Sequence, residues 1–291
     1  MKAIISSTYS DTYLFFLPIV TYCWNKLGVE TICFVPYQEL NAGDPTRDER
    51  IKGWYKSGLI NKTLLDIGIN LRWETFYCPE HKQATYAQCS RLFGAAIPEL
   101  EKDEILFTSD IDMCVFKIPP YSVEGRMTIF GSDLTPENQY PICYASGSVA
   151  NWISVMWIEY GGMKADKNEM IIITRDYQQC LDDLLGDIDS ISMKGDYWAK
   201  DQEHLFDKLL HRKKDLIPRA SPGTQFAMNR VDRDDSYWQE RMDKNIIDAH
   251  LWRPGYTDEN FANILELMQF MYPEGNFQWL IDYKNAYLKL L

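Results

Sequence analysis

The sequence predicts an α/β protein with a central, mostly parallel mixed sheet flanked by helices. Three observations carry that expectation. The chain opens with a strand, a polar loop, a helix and a second strand, the first step of a parallel sheet. Further on, "EILFTSD" is continuously apolar before its polar end and lacks the alternation of a half-exposed strand, so it reads as a central strand covered on both faces. The chain has 291 residues, 46% of them hydrophobic and 25% charged, which suits a soluble protein with a sizeable core.

In order along the chain, "MKAIISS" is the first strand and "STYSDTY" the polar turn after it. Residues 13 to 27 have helical length and stop at Gly28, a C-cap residue. "ETICFVPY" is the second strand and "NAGDPTRDER" a loop. Amphipathic segments then run to about residue 68, and "RWETFYC" is another strand. In "YAQCSRLFGAAIPELEK", Cys89, Leu92, Phe93, Ala96 and Ile97 recur at helical spacing. After residue 125 the pattern mixes strands ("RMTIFGSDL", "PICYASG", "NIIDAHLW") with helices near 151–160, 169–186 and 201–214. A helical tail over 258–291, broken at Pro273 and Gly275, closes the chain. No repeat, low-complexity tract or clear linker interrupts it, so a single domain over 1–291 is expected.

Net charge is -12 and the sequence pI about 4.9, a field that repels nucleic acid and anionic membrane. An anionic small molecule would need a metal or local basic groups to neutralise it. The seven cysteines are scattered and form no CxxC pair, which points to a reduced, cytoplasmic chain. "YLFFLPIVTYCW" is too short to span a bilayer and contains Pro18, and a signal peptide's basic start and cleavage site are missing, so a soluble protein without a transmembrane segment is expected. Neither G-x-G-x-x-G nor GxxxxGK[ST] occurs, which removes the usual support for dinucleotide oxidoreductases and P-loop NTPases.

The segment "ILFTSDIDMCVF" places Asp110 and Asp112 where a buried strand ends. Asp and Ser close strands as turn residues, which is one reading. The other is a divalent cation: on locally extended backbone both carboxylates point the same way, and a hard Mn²⁺ or Mg²⁺ removes their repulsion while accepting phosphate oxygens. Ligands of open α/β sheets bind along that carboxyl edge. His250 ends a late strand; it is either structural or a third ligand, since imidazole suits Mn²⁺. Arg253 either forms a surface ion pair or meets a diphosphate. Asp201 opens a helix, where it could act as an N-cap or take a proton from a sugar hydroxyl. The polar loop 186–198 could be idle or a lid excluding water, with Lys194 aimed at phosphate and Asp196 an alternative base. Ser6, Ser7, Thr8 and Tyr9 offer hydroxyls and amides to a base and ribose. Arg91 reaches the donor or snorkels to solvent. Trp198 and Trp252 are candidates for stacking on sugars.

Taken in order, these segments resemble the GT-A type of nucleotide-sugar glycosyltransferase, over most of the chain. "IISSTYSDTY" resembles that family's nucleotide-binding start, "YAQCSRLF" its helix before the metal motif, and "FTSDIDM" the D-x-D motif itself. "YPICYASGSVANW" looks like the acceptor-side segment, "WAKDQEHLF" like the acidic motif at the catalytic centre, and "DAHLWRPGY" like the late histidine segment. The resemblance implies a GT-A-like (Rossmann-like) domain, with residues 1–115 binding the nucleotide sugar and 116–291 the acceptor. It implies a hexosyl- or pentosyltransferase that moves a sugar from a nucleoside diphosphate, UDP first among them, to a carbohydrate hydroxyl. Mn²⁺ (or Mg²⁺) would sit on Asp110, Asp112 and His250, with Asp201 as the base. A metal-dependent nucleotidyltransferase and a non-catalytic sugar-binding module are the alternatives.

Overall fold

In chain order the elements are β1 (Lys2–Ser6), α1 (Asp11–Leu14), α2 (Leu17–Lys26), β2 (Glu30–Pro36), α3 (Arg47–Asp66), β3 (Leu71–Phe76), α4 (Gln83–Ser90), β4 (Ile105–Thr108) and β5 (Met113–Val115). There follow β6 (Met127–Ile129), β7 (Ala145–Ser148), α5 (Val149–Val155), β8 (Glu159–Lys164), β9 (Glu169–Thr174), α6 (Tyr177–Leu185), α7 (Lys200–Leu210), β10 (Leu216–Pro218), β11 (Arg230–Asp232), β12 (Asp248–His250), α8 (Asp258–Met271) and α9 (Gln278–Leu288). This computed structural model describes residues 1–37, 47–119, 121, 125–130, 138–164, 169–185, 199–210, 216–218 and 230–291. The contacts gather into two compact units, each assembled from three stretches of chain.

The first unit comprises Met1–Ser6, Phe76–Asp110 and Pro119–Ala227. Its sheet runs in the order β10-β6-β7-β4-β1. β1 is parallel to β4 and β10 to β6, while β7 is antiparallel to both neighbours. Reversing β7 alone leaves the other four strands pointing one way, so the sheet is mixed but mostly parallel, as the sequence predicts. Ala3, Ile4, Leu106 and Phe107 are buried at the β1–β4 pair. The helix expected through residue 97 changes at Arg91 into a 3₁₀ stretch, Arg91–Ala96, a common ending for an α-helix. Gly94 in that stretch lies so close to β1 that a Cβ there would sit 2.9 Å from Ile4 Cγ1.

The hairpin of β8 and β9 corrects the expectation of a helix over 169–186; the helix begins only at Tyr177. "EMIIIT" is a short apolar run, and such a run fits strand or helix equally by periodicity. β5, β10 and β11 are also strands that the sequence reading did not single out.

The second unit comprises Ser7–Thr75, Ile111–Ile118 and Met228–Leu291. β2 and β3 are neighbours, and β11-β12-β5 form a small separate sheet, parallel between β11 and β12 and antiparallel between β12 and β5. The helix expected over 13–27 is two helices. Pro18 lies in the first turn of α2, where its missing N–H costs nothing, and Gly28 ends it at φ +73°. Residues Leu17 to Trp24 are buried all round, packed by β2, β5 and α3. Phe15 meets Tyr256, Phe261, Tyr283 and Tyr287 with ring centroids 5.2–6.5 Å apart, which ties the α1–α2 corner to α8 and α9. The tail helices break between Met271 and Gln278, around Pro273 and Gly275 as expected. Among the described residues, no helix is long and apolar enough to cross a membrane.

Candidate functional site

Two charged clusters stand out, one in each unit, and the chain passes from the first unit to the second between Asp110 and Ile111. The backbone at Ile111 and Asp112 is a turn rather than the extended segment expected, so each aspartate takes its own set of partners.

In the first unit, Arg91 joins two carboxylates. Its Nη2 donates to Asp201 Oδ2 at 2.8 Å, and its Nη1 donates to Asp110 Oδ1 and to the Ser109 carbonyl. Its Nε donates to the Gln88 carbonyl at 3.2 Å. The guanidinium is buried, with donors spent on these internal acceptors. Burial alone would lower its pKa, but Asp110 and Asp201 outweigh that and raise it further. β4 delivers Asp110 because Ser109 N–H donates to the Ile4 carbonyl and extends the parallel pairing with β1 by one residue.

Asp201 is the second residue of α7, not its N-cap. Its Oδ1 accepts the Gln202 N–H at 2.9 Å, in the first turn where a carboxylate suits the helix dipole. The side chain is 2% exposed. Burial pushes its pKa up to about 6, with Arg91 opposing and the charge of Asp110 adding. That value poises a carboxylate for proton transfer near neutral pH. His204, one turn on, lies against the ring of Phe93 and is held neutral, with its pKa lowered to about 4 by burial.

In the second unit, three nitrogen-bearing side chains converge on Asp112. Arg233 Nη1 donates to Asp112 Oδ2 at 2.8 Å, with His250 Nε2 at 3.3 Å and Arg253 Nε at 3.4 Å from the same oxygen. The register explains the meeting. His250 pairs with Met113 across the antiparallel β12–β5 ladder, and the Leu251 N–H donates to the Asp112 carbonyl. Parallel β11 sets Asp232 beside His250, its Oδ2 3.8 Å from Nδ1, too far for a hydrogen bond. Burial would raise the Asp112 pKa, but His250, Arg233 and Arg253 bring it down to about 2. Next in the ladder, Arg230 clamps the fully buried Asp248 with two hydrogen bonds, at 2.9 and 2.6 Å.

No family model matches this chain, and no curated protein does. Solved structures align with it over nearly its whole length. The galactosyltransferase LgtC, in complex with donor and acceptor sugar analogues, shares 9% identity over 94% of this chain and 96% of that one, at a TM-score of 0.48. An active-site mutant of LgtC aligns at 8% identity, 92% and 95% coverage and a TM-score of 0.48. The glycosyltransferase GlyE of Streptococcus pneumoniae TIGR4 aligns at 11% identity and a TM-score of 0.42, over 99% of this chain and 63% of that one.

The remaining sequence candidates fall in different places. Ser6 ends β1, and its side chain is nearly covered. Ser7 is buried; its N–H donates to the Phe34 carbonyl and its hydroxyl to the Thr8 carbonyl. Thr8 Oγ1 accepts the Ser10 N–H. The Tyr9 phenol has its pKa raised by burial, with a hydrogen bond from Ser57 opposing. Tyr13, which the sequence reading passed over, accepts a hydrogen bond from Arg253 Nη1, and the guanidinium lies 5.3 Å from its ring centroid. Trp252 is 7% exposed and packed on Trp238 at 4.6 Å, so it is a core residue rather than a sugar platform. Lys194, Asp196, Trp198 and the rest of the 186–198 loop lie outside the described residues.

Arg233 is the functional candidate that the sequence reading missed. "RVDRDD" looks like a solvated charge run, and the partner of this arginine is 121 positions away in sequence. Only the parallel pairing of β11 with β12 brings it to Asp112.

Among the described residues no group of three or more His, Cys, Asp or Glu side chains forms a metal cage. Two donors do suit a hard cation. Adjacent ligands of an octahedral ion with bonds near 2.1 Å lie roughly 3.0 Å apart, and Asp112 Oδ2 and His250 Nε2 are separated by 3.3 Å. Such ions keep open positions for phosphate and water, so two side chains from this unit are a sufficient start.

Proposed function

We propose that this protein is a metal-dependent glycosyltransferase that moves a sugar from a nucleoside diphosphate, UDP in the first instance, to a carbohydrate hydroxyl. One observation carries the reading: in a chain of net charge -12, two arginines and a histidine converge on the single buried carboxylate of Asp112. Two arginines and a histidine carry more positive charge than one carboxylate can neutralise, so the surplus is available to a second anion, and a diphosphate with its cation fits that surplus. The order of motifs along the chain, from "IISSTYSDTY" to "DAHLWRPGY", supports the same reading.

Asp112 and His250 would hold Mn²⁺ or Mg²⁺, with Asp110 as the other carboxylate of the D-x-D. When bound, such an ion supplies Lewis-acid stabilisation of the departing diphosphate. Arg253 and Arg233 bind and orient the diphosphate oxygens, exchanging part of their contact with Asp112 for phosphate. Tyr13 fixes the plane of the Arg253 guanidinium. Thr8 and Tyr9 are assigned to the nucleoside and Lys194 to phosphate, while Ser6 and Ser7, covered and with the Ser7 N–H and hydroxyl spent on the Phe34 and Thr8 carbonyls, shape the turn that carries them.

Asp201 is assigned the proton of the attacking hydroxyl, accepted on a carboxylate oxygen if the anomeric centre inverts. Arg91 holds that carboxylate in place. The test is a screen of UDP- and GDP-sugars with Mn²⁺ for nucleotide release in the presence of carbohydrate acceptors. Release that depends on metal and acceptor supports transfer. Pyrophosphate release from a nucleoside triphosphate would instead make the protein a nucleotidyltransferase, and indifference to every nucleotide would leave a sugar-binding module.

A further inference from the structure

Within the second unit, α3 and α9 line a groove of ≈ 440 Å³ that includes none of the residues around Asp112. That is the size of a small-ligand site rather than a packing defect. Trp279 forms one wall and is held by its own packing: its ring lies 5.4 Å from Tyr22 at 35°. The floor includes Tyr283, which is 1% exposed, with its hydroxyl spent on the Phe15 carbonyl at 3.2 Å. Both aromatic groups are therefore fixed before any ligand arrives.

The polar groups of the groove are paired along their own helices. Lys62 Nζ donates to Asp66 Oδ2 on α3, and Gln278 Nε2 donates to Asp282 Oδ1 at 3.0 Å on α9. Lys62 and Asp66 cancel in charge, which leaves the single negative charge of Asp282. A phosphate or carboxylate ligand is disfavoured by that balance. A purely apolar ligand would strip water from the exposed Lys62–Asp66 ion pair and from Asp282 without offering hydrogen bonds in return. A neutral pyranose fits both conditions: its C–H face covers an indole, and adjacent hydroxyls bridge a carboxylate and an amide.

We propose that this groove is a carbohydrate-binding subsite for a neutral oligosaccharide, with Trp279 as the platform and Asp282, Gln278 and Asp66 as hydroxyl partners. Its lysine and carboxylates are engaged along their own helices, so its role is to hold glycan and not to react with it. The proposal is independent of the transfer reaction.

The experiment is binding of the fluorescently labelled full chain to an array of neutral gluco-, galacto- and manno-configured oligosaccharides, without nucleotide or metal. Wild type, Trp279→Ala, Trp279→Phe and Asp282→Asn are compared. The expected result is retention of a subset of the glycans, weakened at least tenfold by Trp279→Ala and Asp282→Asn. Trp279→Phe keeps an aromatic ring against Tyr22, so it separates folding from platform size; it should bind with an intermediate loss. Retention of no neutral glycan by wild type, or equal retention by all the Trp279 and Asp282 variants, overturns the proposal. Nucleotide release in the donor screen is read separately, so failure of either idea is visible without the other.

Discussion

Arg91 Nη2 lies 2.8 Å from Asp201 Oδ2, with the two side chains only 6% and 2% exposed. A buried pair of this kind contributes little net stability against an apolar substitute, but breaking it from one side leaves a buried charge alone. Arg91→Met should therefore destabilise the protein by about 3–5 kcal/mol. Arg91→Met combined with Asp201→Asn should recover part of that loss. Urea denaturation of the two variants checks this, and equal stability of single and double variants would deny the coupling.

The acidity of Asp201 sets a pH dependence. With its pKa raised to about 6 by burial, the carboxylate is ionised above that pH and protonated below it. A base must be ionised, so kcat should fall as pH drops through about 6 and level off above it. Asp201→Asn should lower kcat by about 10²–10⁴-fold and abolish the acidic limb, while donor affinity stays nearly unchanged. A product with retained anomeric configuration would remove Asp201 from this role.

Much of the fold was legible because its signals are local. The apolar run at β4, Pro18 and Gly28 around α2, and Pro273 with Gly275 between α8 and α9 each act over a few residues. The β8–β9 hairpin was not legible. Its run "MIII" suits either period, and Ile172, 75% exposed, shows that the run does not mark a buried strand. The candidate site was legible in part. Asp110, Asp112, His250 and Arg253 could be suspected from position at strand ends, but Arg233 depends on a register set by strands only three residues long.

Asp112 links stability to acid. Its folded pKa of about 2 lies below the ordinary carboxylate value, because His250, Arg233 and Arg253 outweigh its burial. A depressed carboxylate contributes stability that is present above about pH 4 and lost as pH falls toward 2. The contribution is on the order of 2 kcal/mol. In metal-free buffer, the stability difference between wild type and Asp112→Asn should shrink as pH falls from 5 to 3. Urea midpoints that track in parallel would contradict the pairing.

The approach of the 3₁₀ stretch to β1 predicts a steric effect. A methyl group on Gly94 would press on three side-chain carbons of Ile4, which is 1% exposed and cannot swing out. Gly94→Ala should cost about 1–3 kcal/mol. Trimming the opposing side chain in Gly94→Ala/Ile4→Val should restore part of it, as thermal unfolding would show.

The central claim is that Asp112 and His250 hold a cation for a diphosphate, and calorimetric titration of UDP with and without Mn²⁺ tests it most directly. Wild type should bind UDP at least tenfold more tightly with Mn²⁺. Asp112→Asn and His250→Ala should lose most of that gain, with both variants remaining folded by circular dichroism. Equal UDP affinity with and without Mn²⁺ in the wild type, or a full Mn²⁺ gain in both variants, would contradict the account.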